Sequence, residues 1–449
     1  MSIQFYKDKL QHALKDKNFG FVLRGSLSTA ITLFFVQGLR FISGVLIARY
    51  YGAEASGRLT LVVTVMGIFA ILINFGVKDA LQKLIPEYRE KYNIKTAYSL
   101  FLKGNQLIVI FSFIAAIVLY IIAPWLSNYW QEPQMVWMFR LSGIFLPFLV
   151  LGELNYFSLR AALKVHTANV SLVMPTVIRL AVLFIITFFF FNYNNPVYLH
   201  WTTICVLPWL FSLIPIYKYF HQPSKSEEKI QNTKHQDILS VAFPMLMTYA
   251  AFIVSNSADV FMLKSNNVGT DLVGIYKTCT NISMLAATLL VALNTTVQPK
   301  ITQLYTQNNL EEVKRIAVKS SKLIFWLSVP TFIILIGFSK YVMWLYGGEF
   351  LKGAMCLSIL TIGQVVNTIC GPTAQLLNAT GFHKEFRNIS FFGAGVNILL
   401  NFFLIPAFGI EGAAISNAVS MVAWNLVCTF YIKQKFGFYI VYVPFVNTK

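Results

Sequence analysis

Apolar runs of about twenty residues, separated by short polar connections, fill almost the whole chain. A helix of that length is about 30 Å long, which matches the hydrocarbon thickness of a bilayer. Each run therefore predicts one membrane-spanning helix. The pattern predicts twelve spans, near residues 25–48, 57–77, 98–123, 136–158, 169–190, 197–219, 239–263, 272–296, 319–339, 353–377, 387–406 and 411–432.

The two halves of this pattern resemble each other. At one constant spacing, Gly52, Gly57, Lys83 and Tyr88 are matched by Gly269, Gly274, Lys300 and Tyr305. Internal duplication is the usual plan of secondary transporters, whose substrate site lies between the repeats. We therefore expect an all-α integral membrane protein of two six-helix lobes related by an internal repeat. The predicted segments are an N-terminal segment (1–23), an N-lobe (24–220), a linker (221–238), a C-lobe (239–432) and a C-terminal tail (433–449).

Composition supports a membrane protein. Hydrophobic residues make up 56% of the 449 positions and charged residues only 12%, whereas a soluble domain is roughly half apolar and a quarter charged. The five cysteines lie in or beside apolar runs without metal-type spacing, so we expect free thiols. Residues 1–23 are polar and basic, which predicts no removable signal peptide.

Lysine and arginine placement predicts the orientation. If the N-terminus is cytoplasmic, every inner segment carries at least two basic residues, whereas the outer connections 124–134 and 191–196 carry none. Basic residues are enriched on the cytoplasmic side of membrane proteins, so both termini are predicted to be cytoplasmic. The net charge of +18 is spread over short inner connections, which indicates attraction to anionic lipids rather than nucleic acid binding.

A few ionisable residues fall inside predicted spans, where the bilayer penalises charge. They are four basic residues, Arg40, Arg179, Arg140 and Lys277, and two acidic ones, Glu153 and Asp259. The basic residues are predicted to face a central cavity and bind an anionic group, although Arg140 and Lys277 could also reach the outer headgroups. Glu153 and Asp259 are candidates for coupling to a proton or sodium ion, with structural ion pairing as the alternative.

The excess of basic groups favours a phosphate-bearing substrate, because the arginine fork meets two phosphate oxygens and stays charged. Buried amides could bind sugar hydroxyls or could instead link helices; the candidates are Asn281, Asn367, Asn397 and Asn401. The sequence shows no catalytic constellation, metal-ligand set or cofactor-binding loop, so it predicts a transporter without a cofactor. The proton gradient, sodium gradient or membrane potential could drive it.

Residues 395–414, GVNILLNFFLIPAFGIEGAA, resemble a motif of polysaccharide-export flippases between helices 11 and 12. Residues 377–384, and the turn that contains Asp259, Gly269 and Gly274, are also similar to segments of that family. The family is the O-antigen and exopolysaccharide (Wzx-type) flippases, in the superfamily of the MATE-type multidrug exporters and the lipid II flippase.

The resemblance implies a V-shaped, MATE-like architecture with alternating access to a central cavity. It also implies that the substrate is a polyprenyl-diphosphate-linked oligosaccharide, flipped across the bacterial cytoplasmic membrane. Polymerase and chain-length proteins of the same pathway are possible partners. The alternatives are an exporter of drugs or of another lipid-linked precursor, a membrane glycosyltransferase or polymerase, and a scaffold role alongside transport.

Overall fold

The computed structural model describes residues 19–161, 165–189, 197–221, 231 and 233–442. These residues form α-helices joined by short turns. The helices fall into two compact units, residues 39–274 and residues 1–38 with 275–449. The lobe and segment boundaries expected from the sequence stay a prediction.

The first helices of the chain build the unit of residues 39–274. They are α1 (Phe19–Asn74, which begins in the other unit), α2 (Val77–Lys91), α3 (Ile94–Tyr129), α4 (Met135–Ala161), α5 (Val165–Phe189), α6 (Val197–Phe220) and α7 (His235–Ser265). The beginning of α8 (Thr270–Ser283) also belongs to this unit.

Among the described residues, the second unit contains the beginning of α1, the rest of α8 and six more helices. After a 3₁₀ turn (Met284–Ala287) come α9 (Thr288–Thr306), α10 (Leu310–Gly337), α11 (Ser339–Tyr346), a 3₁₀ segment (Gly348–Gly353), α12 (Ala354–Cys370), α13 (Thr373–Ala379) and α14 (His383–Phe436). Buried apolar side chains of α9, α10, α13 and α14 form its core, with Val297, Ile316, Leu376 and Ile432 fully buried. All five cysteines are buried free thiols, as predicted.

Within the described residues, six helices are long and apolar enough to cross a membrane. Two of them are much longer than one crossing: the apolar helices Ile31–Asn74 and His383–Phe436 contain 44 and 54 residues. At 1.5 Å per residue each exceeds twice the roughly 30 Å hydrocarbon core. Non-helical backbone breaks each one, at Gly52 (φ 80°) in α1 and at Gly409 (φ 57°) in α14. The count of twelve spans stays a prediction.

The chain reverses direction at the α14 break. A Cβ atom at Gly412 would collide with the carbonyl group of Leu404. In a straight helix these residues would be about 12 Å apart. The positive φ of Gly409 is a conformation that glycine adopts without steric cost, so it permits the reversal.

Two glycines make a reciprocal backbone contact in the unit of residues 39–274. A Cβ atom at Gly57 would collide with the carbonyl group of Thr270, and one at Gly274 would lie 2.7 Å from the carbonyl oxygen of Ala53. Each glycine therefore packs on the carbonyl group four residues before its counterpart. These are the positions that match in the sequence pattern.

The segment α2 is an amphipathic helix rather than a spanning one. Its buried residues, Val77, Ala80, Leu81, Leu84 and Ile85, recur at the spacing of one helix face. The opposite face carries charged residues, and α2 packs on α3, α4 and α7. From its sequence, this stretch is expected to be only a basic connection between two spans.

Candidate functional site

A cavity of about 210 Å³ lies within the unit of residues 39–274 and is lined by α1, α4, α5 and α6. Its lining includes Arg40, Glu153 and Arg179, three of the six ionisable residues predicted to lie inside the membrane. Pockets that enclose a drug-sized ligand measure roughly 300–1,000 Å³. This cavity is therefore smaller than one that encloses a whole drug-sized ligand.

Helical spacing explains why these residues share the cavity. On α4, Leu149, Gly152, Glu153 and Tyr156 lie on one helix face. The same spacing places Ser171, Pro175 and Arg179 together on α5, with Thr176 beside them, and Pro208 and Ser212 on α6. Glycine at position 152 allows α4 to approach α6 closely, since a Cβ atom there would lie 3.2 Å from the backbone nitrogen of Trp209.

The two arginines supply the positive charge of the cavity. The Arg40 side chain is exposed and Arg179 is half-buried. Within the described part of the chain, neither guanidinium group forms an ion pair, and the buried Nε of Arg179 has no hydrogen-bond partner. Both guanidinium groups are positively charged and share one cavity, so they repel each other. Two guanidinium groups in this arrangement can bind one anion together, and the anion would relieve their repulsion.

Glu153 pairs with a residue that the sequence analysis did not select. Its Oε2 lies 3.5 Å from Nζ of Lys78, the second residue of α2. The Lys78 ammonium group also lies over the ring of Phe157, 5.0 Å from its centroid. The Lys78 side chain is 12% exposed, whereas that of Glu153 is 44% exposed and lines the cavity. The Lys78 ammonium group therefore offsets the charge of the Glu153 carboxylate, although Lys78 itself does not line the cavity.

The hydroxyl protons of two serines in the cavity wall are already hydrogen-bonded to backbone carbonyl groups. Ser171 Oγ donates to the carbonyl oxygen of Thr167 at 3.0 Å, and Ser212 Oγ donates to that of Trp209 at 2.6 Å. A hydroxyl group has one proton and two lone pairs, so both serine oxygens face a ligand mainly as acceptors. Ser212 Oγ also accepts from Asn155 Nδ2 at 2.8 Å, which fixes its orientation.

Two other charged candidates of this unit do not line the cavity. Arg140 lies over the ring of Tyr120, 4.3 Å from its centroid, and this cation–π contact explains its place in an apolar helix. Asp259 is almost fully buried on α7. A substrate role for Arg140 and ion coupling by Asp259 stay predictions.

The remaining candidates lie in the other unit. Lys277 and Asn281 are on α8, with Asn281 exposed. Asn397 and Asn401 are fully buried, and Asn401 Nδ2 donates to Asn397 Oδ1 at 3.1 Å. Asn367 accepts from Nδ2 of Asn425 at 3.1 Å, which links α12 to α14. These bonds are those expected of amides that link or stabilise helices, while sugar binding by the four asparagines stays a prediction.

A cluster around Glu132 was missed by the sequence analysis. Glu132 lies in the turn between α3 and α4, and its carboxylate accepts a hydrogen bond from Thr270. It also lies 3.5 Å from Arg58 Nε and 3.7 Å from Lys264 Nζ. Lys264 in turn donates to Thr270 Oγ1 at 2.7 Å. We call these four residues the Glu132 cluster: Arg58, Glu132, Lys264 and Thr270. The cluster joins three connections between helices that the charge pattern predicts to lie on the outer side of the membrane.

Two models of known protein families match the chain. The model described as polysaccharide biosynthesis protein matches residues 22–305. The chain belongs to this family. The MatE model matches residues 244–403. These matches confirm the resemblance to the polysaccharide-export branch of the MATE-like superfamily that residues 395–414 indicated.

Individual proteins agree with this assignment. The probable low-salt glycan biosynthesis flippase Agl15 of Haloferax volcanii is 25% identical over 425 residues, which cover 92% of this chain and 83% of that protein. The fold is similar to that of lipid II flippase MurJ in an inward closed conformation, with a TM-score of 0.73, 16% identity, and coverage of 91% of this chain and 87% of MurJ. It is also similar to an inward-facing multidrug resistance MATE family transporter of the MOP superfamily, with a TM-score of 0.72, 15% identity, and coverage of 91% and 98%. The predicted all-α, MATE-like fold is therefore confirmed, whereas the two six-helix lobes and the V shape stay predictions.

Proposed function

We propose that this protein flips a polyprenyl-diphosphate-linked oligosaccharide from the inner to the outer leaflet of the cytoplasmic membrane. The observation that carries the proposal is the pair of guanidinium groups, Arg40 and Arg179, that line one cavity without carboxylate partners among the described residues. Membership of the polysaccharide biosynthesis family and the flippase name of Agl15 support the same class of substrate.

The physical task explains the arginines. A diphosphate carried through hydrocarbon would lose its hydration at a cost of many kcal/mol. Arg40 and Arg179 would replace that water with fixed charges, each able to donate two parallel hydrogen bonds to phosphate oxygens. The polyprenyl tail would stay in the lipid while the headgroup passes through the protein. Exposure of the cavity to each side in turn would complete the transfer, as in other secondary transporters.

Complementation of a strain that lacks its oligosaccharide flippase tests the proposal. Each charge-assisted bond to a phosphate contributes about 1.5–3 kcal/mol, or roughly 10- to 100-fold in binding. We therefore expect Arg40→Ala and Arg179→Ala to reduce surface polymer at least tenfold and to accumulate precursor in the inner leaflet.

Arg315→Ala is the control, because Arg315 is 42% exposed, pairs with Glu312 and does not line the cavity. It should leave surface polymer unchanged when its expression equals that of the wild type. Normal surface polymer with both cavity variants would exclude Arg40 and Arg179 as the substrate site. It would favour export of another substrate or a scaffold role.

A further inference from the structure

Five residues of the cavity wall have hydrogen-bonding groups of two kinds, beside the hydroxyl groups of Tyr156 and Thr176, which can both donate and accept. The guanidinium groups of Arg40 and Arg179 only donate hydrogen bonds. Glu153 only accepts them when ionised, and Ser171 and Ser212 offer mainly acceptor lone pairs because their protons are bonded to backbone carbonyl groups. A ligand that satisfies these five groups carries acceptor oxygens for the arginines and hydrogen-bond donors for the other three within the same small cavity.

We propose that Glu153, held by Lys78, reads the sugar attached directly to the diphosphate and so determines the specificity of the cavity. This inference rests on the proposed function. The diphosphate supplies the acceptor oxygens for the arginines. The first sugar supplies hydroxyl or amide protons for the Glu153 carboxylate and the two serine oxygens.

The geometry explains how a carboxylate can lie in a site for a negatively charged substrate. The negative charge of Glu153 is offset by an ion pair with Lys78, 3.5 Å away, so the cavity keeps its net positive charge. Lys78 approaches from α2, is largely buried and is also held against Phe157. The more exposed Glu153 carboxylate lines the cavity and can accept from a ligand. Lys78 is therefore a positioning residue, and Glu153 is the group that contacts the sugar.

The size of the cavity restricts which part of the substrate it reads. A volume of about 210 Å³ fits a headgroup fragment rather than an oligosaccharide. The cavity should thus distinguish substrates by the sugar nearest the diphosphate and tolerate differences farther along the repeat unit.

Binding measurements on the purified full-length protein in nanodiscs test the inference, with two soluble probes. The probes are farnesyl diphosphate, which carries no sugar, and farnesyl diphospho-N-acetylglucosamine. We expect the wild type to bind the sugar-bearing probe about tenfold more tightly, because hydrogen bonds to a charged group are worth that factor or more. Glu153→Gln should abolish most of this difference while binding farnesyl diphosphate at least as well as the wild type.

Two further variants separate specificity from folding and from charge. Lys78→Met combined with Glu153→Gln keeps the net charge of the site and leaves no unpaired ammonium group, and it should show the same loss of discrimination. Glu54→Gln is the matched control, because Glu54 is 62% exposed, pairs with Arg58 and does not line the cavity. It should bind both probes like the wild type.

The outcomes are distinguishable. An unchanged preference for the sugar-bearing probe in both Glu153 variants would overturn the inference, as would an equal loss of affinity for both probes. Loss of farnesyl diphosphate binding in Arg40→Ala and Arg179→Ala tests the proposed function separately. If those arginine variants still bind farnesyl diphosphate normally, the phosphate site is wrong, whatever Glu153 does.

Discussion

Neutralising Glu132 should destabilise the protein more than neutralising any exposed carboxylate near it. Glu132→Gln keeps the shape of the side chain and removes its charge. The Glu132, Arg58 and Lys264 side chains are 15%, 20% and 9% exposed, so solvent screens their attraction only partly. The variant leaves two largely buried cations close together without their shared anion.

The magnitude follows from the distances. At 3.5 and 3.7 Å, each attraction is about 4–5 kcal/mol at an effective dielectric constant of 20. Part of this is offset because the charges were desolvated on folding, and Arg58 keeps Glu54 as a second partner. We therefore expect a loss of about 2–3 kcal/mol, between the values for exposed and fully buried pairs.

Thermal unfolding of the purified protein in detergent measures this effect. For a chain of this size, a loss of 2–3 kcal/mol should lower the midpoint by about 2–3 °C. Glu54→Gln is again the control, and its shift should stay within about 1 °C since exposed ion pairs contribute little. A double-mutant cycle with Lys264→Met should give a coupling energy of about 1–2 kcal/mol. Equal shifts for Glu132→Gln and Glu54→Gln, or a coupling energy of zero, would refute the reasoning.

Three other substitutions test packing. Gly57→Ala should reduce the yield of folded protein severely, because its Cβ atom would collide with the Thr270 carbonyl group. Gly38→Ala is the control and should be neutral, because no atom lies within 4 Å of a Cβ atom there. Size-exclusion profiles measure both yields, and matching profiles would contradict the contact. Asn425→Leu should lower the free energy of unfolding by about 1–3 kcal/mol, because it breaks the hydrogen bond to Asn367 and leaves that amide oxygen without this partner. An unchanged midpoint of thermal unfolding would show that the α12–α14 bond contributes nothing. Gly412→Ala should lower the yield for the same steric reason as Gly57→Ala, and the same profile would detect it.

The sequence predicted those parts of the site that depend on composition. A charge inside an apolar run is costly wherever it lies, so Arg40, Arg179 and Glu153 could be selected without coordinates. Which of them meet depends on helix rotation and packing, which the pattern of apolar residues does not contain. The partner of Glu153 therefore came from the structure: Lys78 is one basic residue among several in a connecting segment.

The hydropathy pattern does not indicate two other features, the role of Glu132 and the 3₁₀ turn in one span, for a different reason. Glu132 lies in a turn, where a carboxylate carries no penalty and gives no signal. Its importance depends on Arg58 and Lys264, which are distant in the chain. The 3₁₀ turn at Met284–Ala287 interrupts one predicted span, 272–296. Its residues are as apolar as the helices around it, so hydropathy does not detect it.

The reciprocal glycine contact has a consequence for permeability. A transporter that passes a large polar group across a membrane has to prevent protons and sodium ions from following it. Where Gly57 and Gly274 meet, backbone touches backbone and no side chain lies between them. Such a junction leaves no space for a water molecule between the two backbones, so a continuous file of water could not pass between these two glycines.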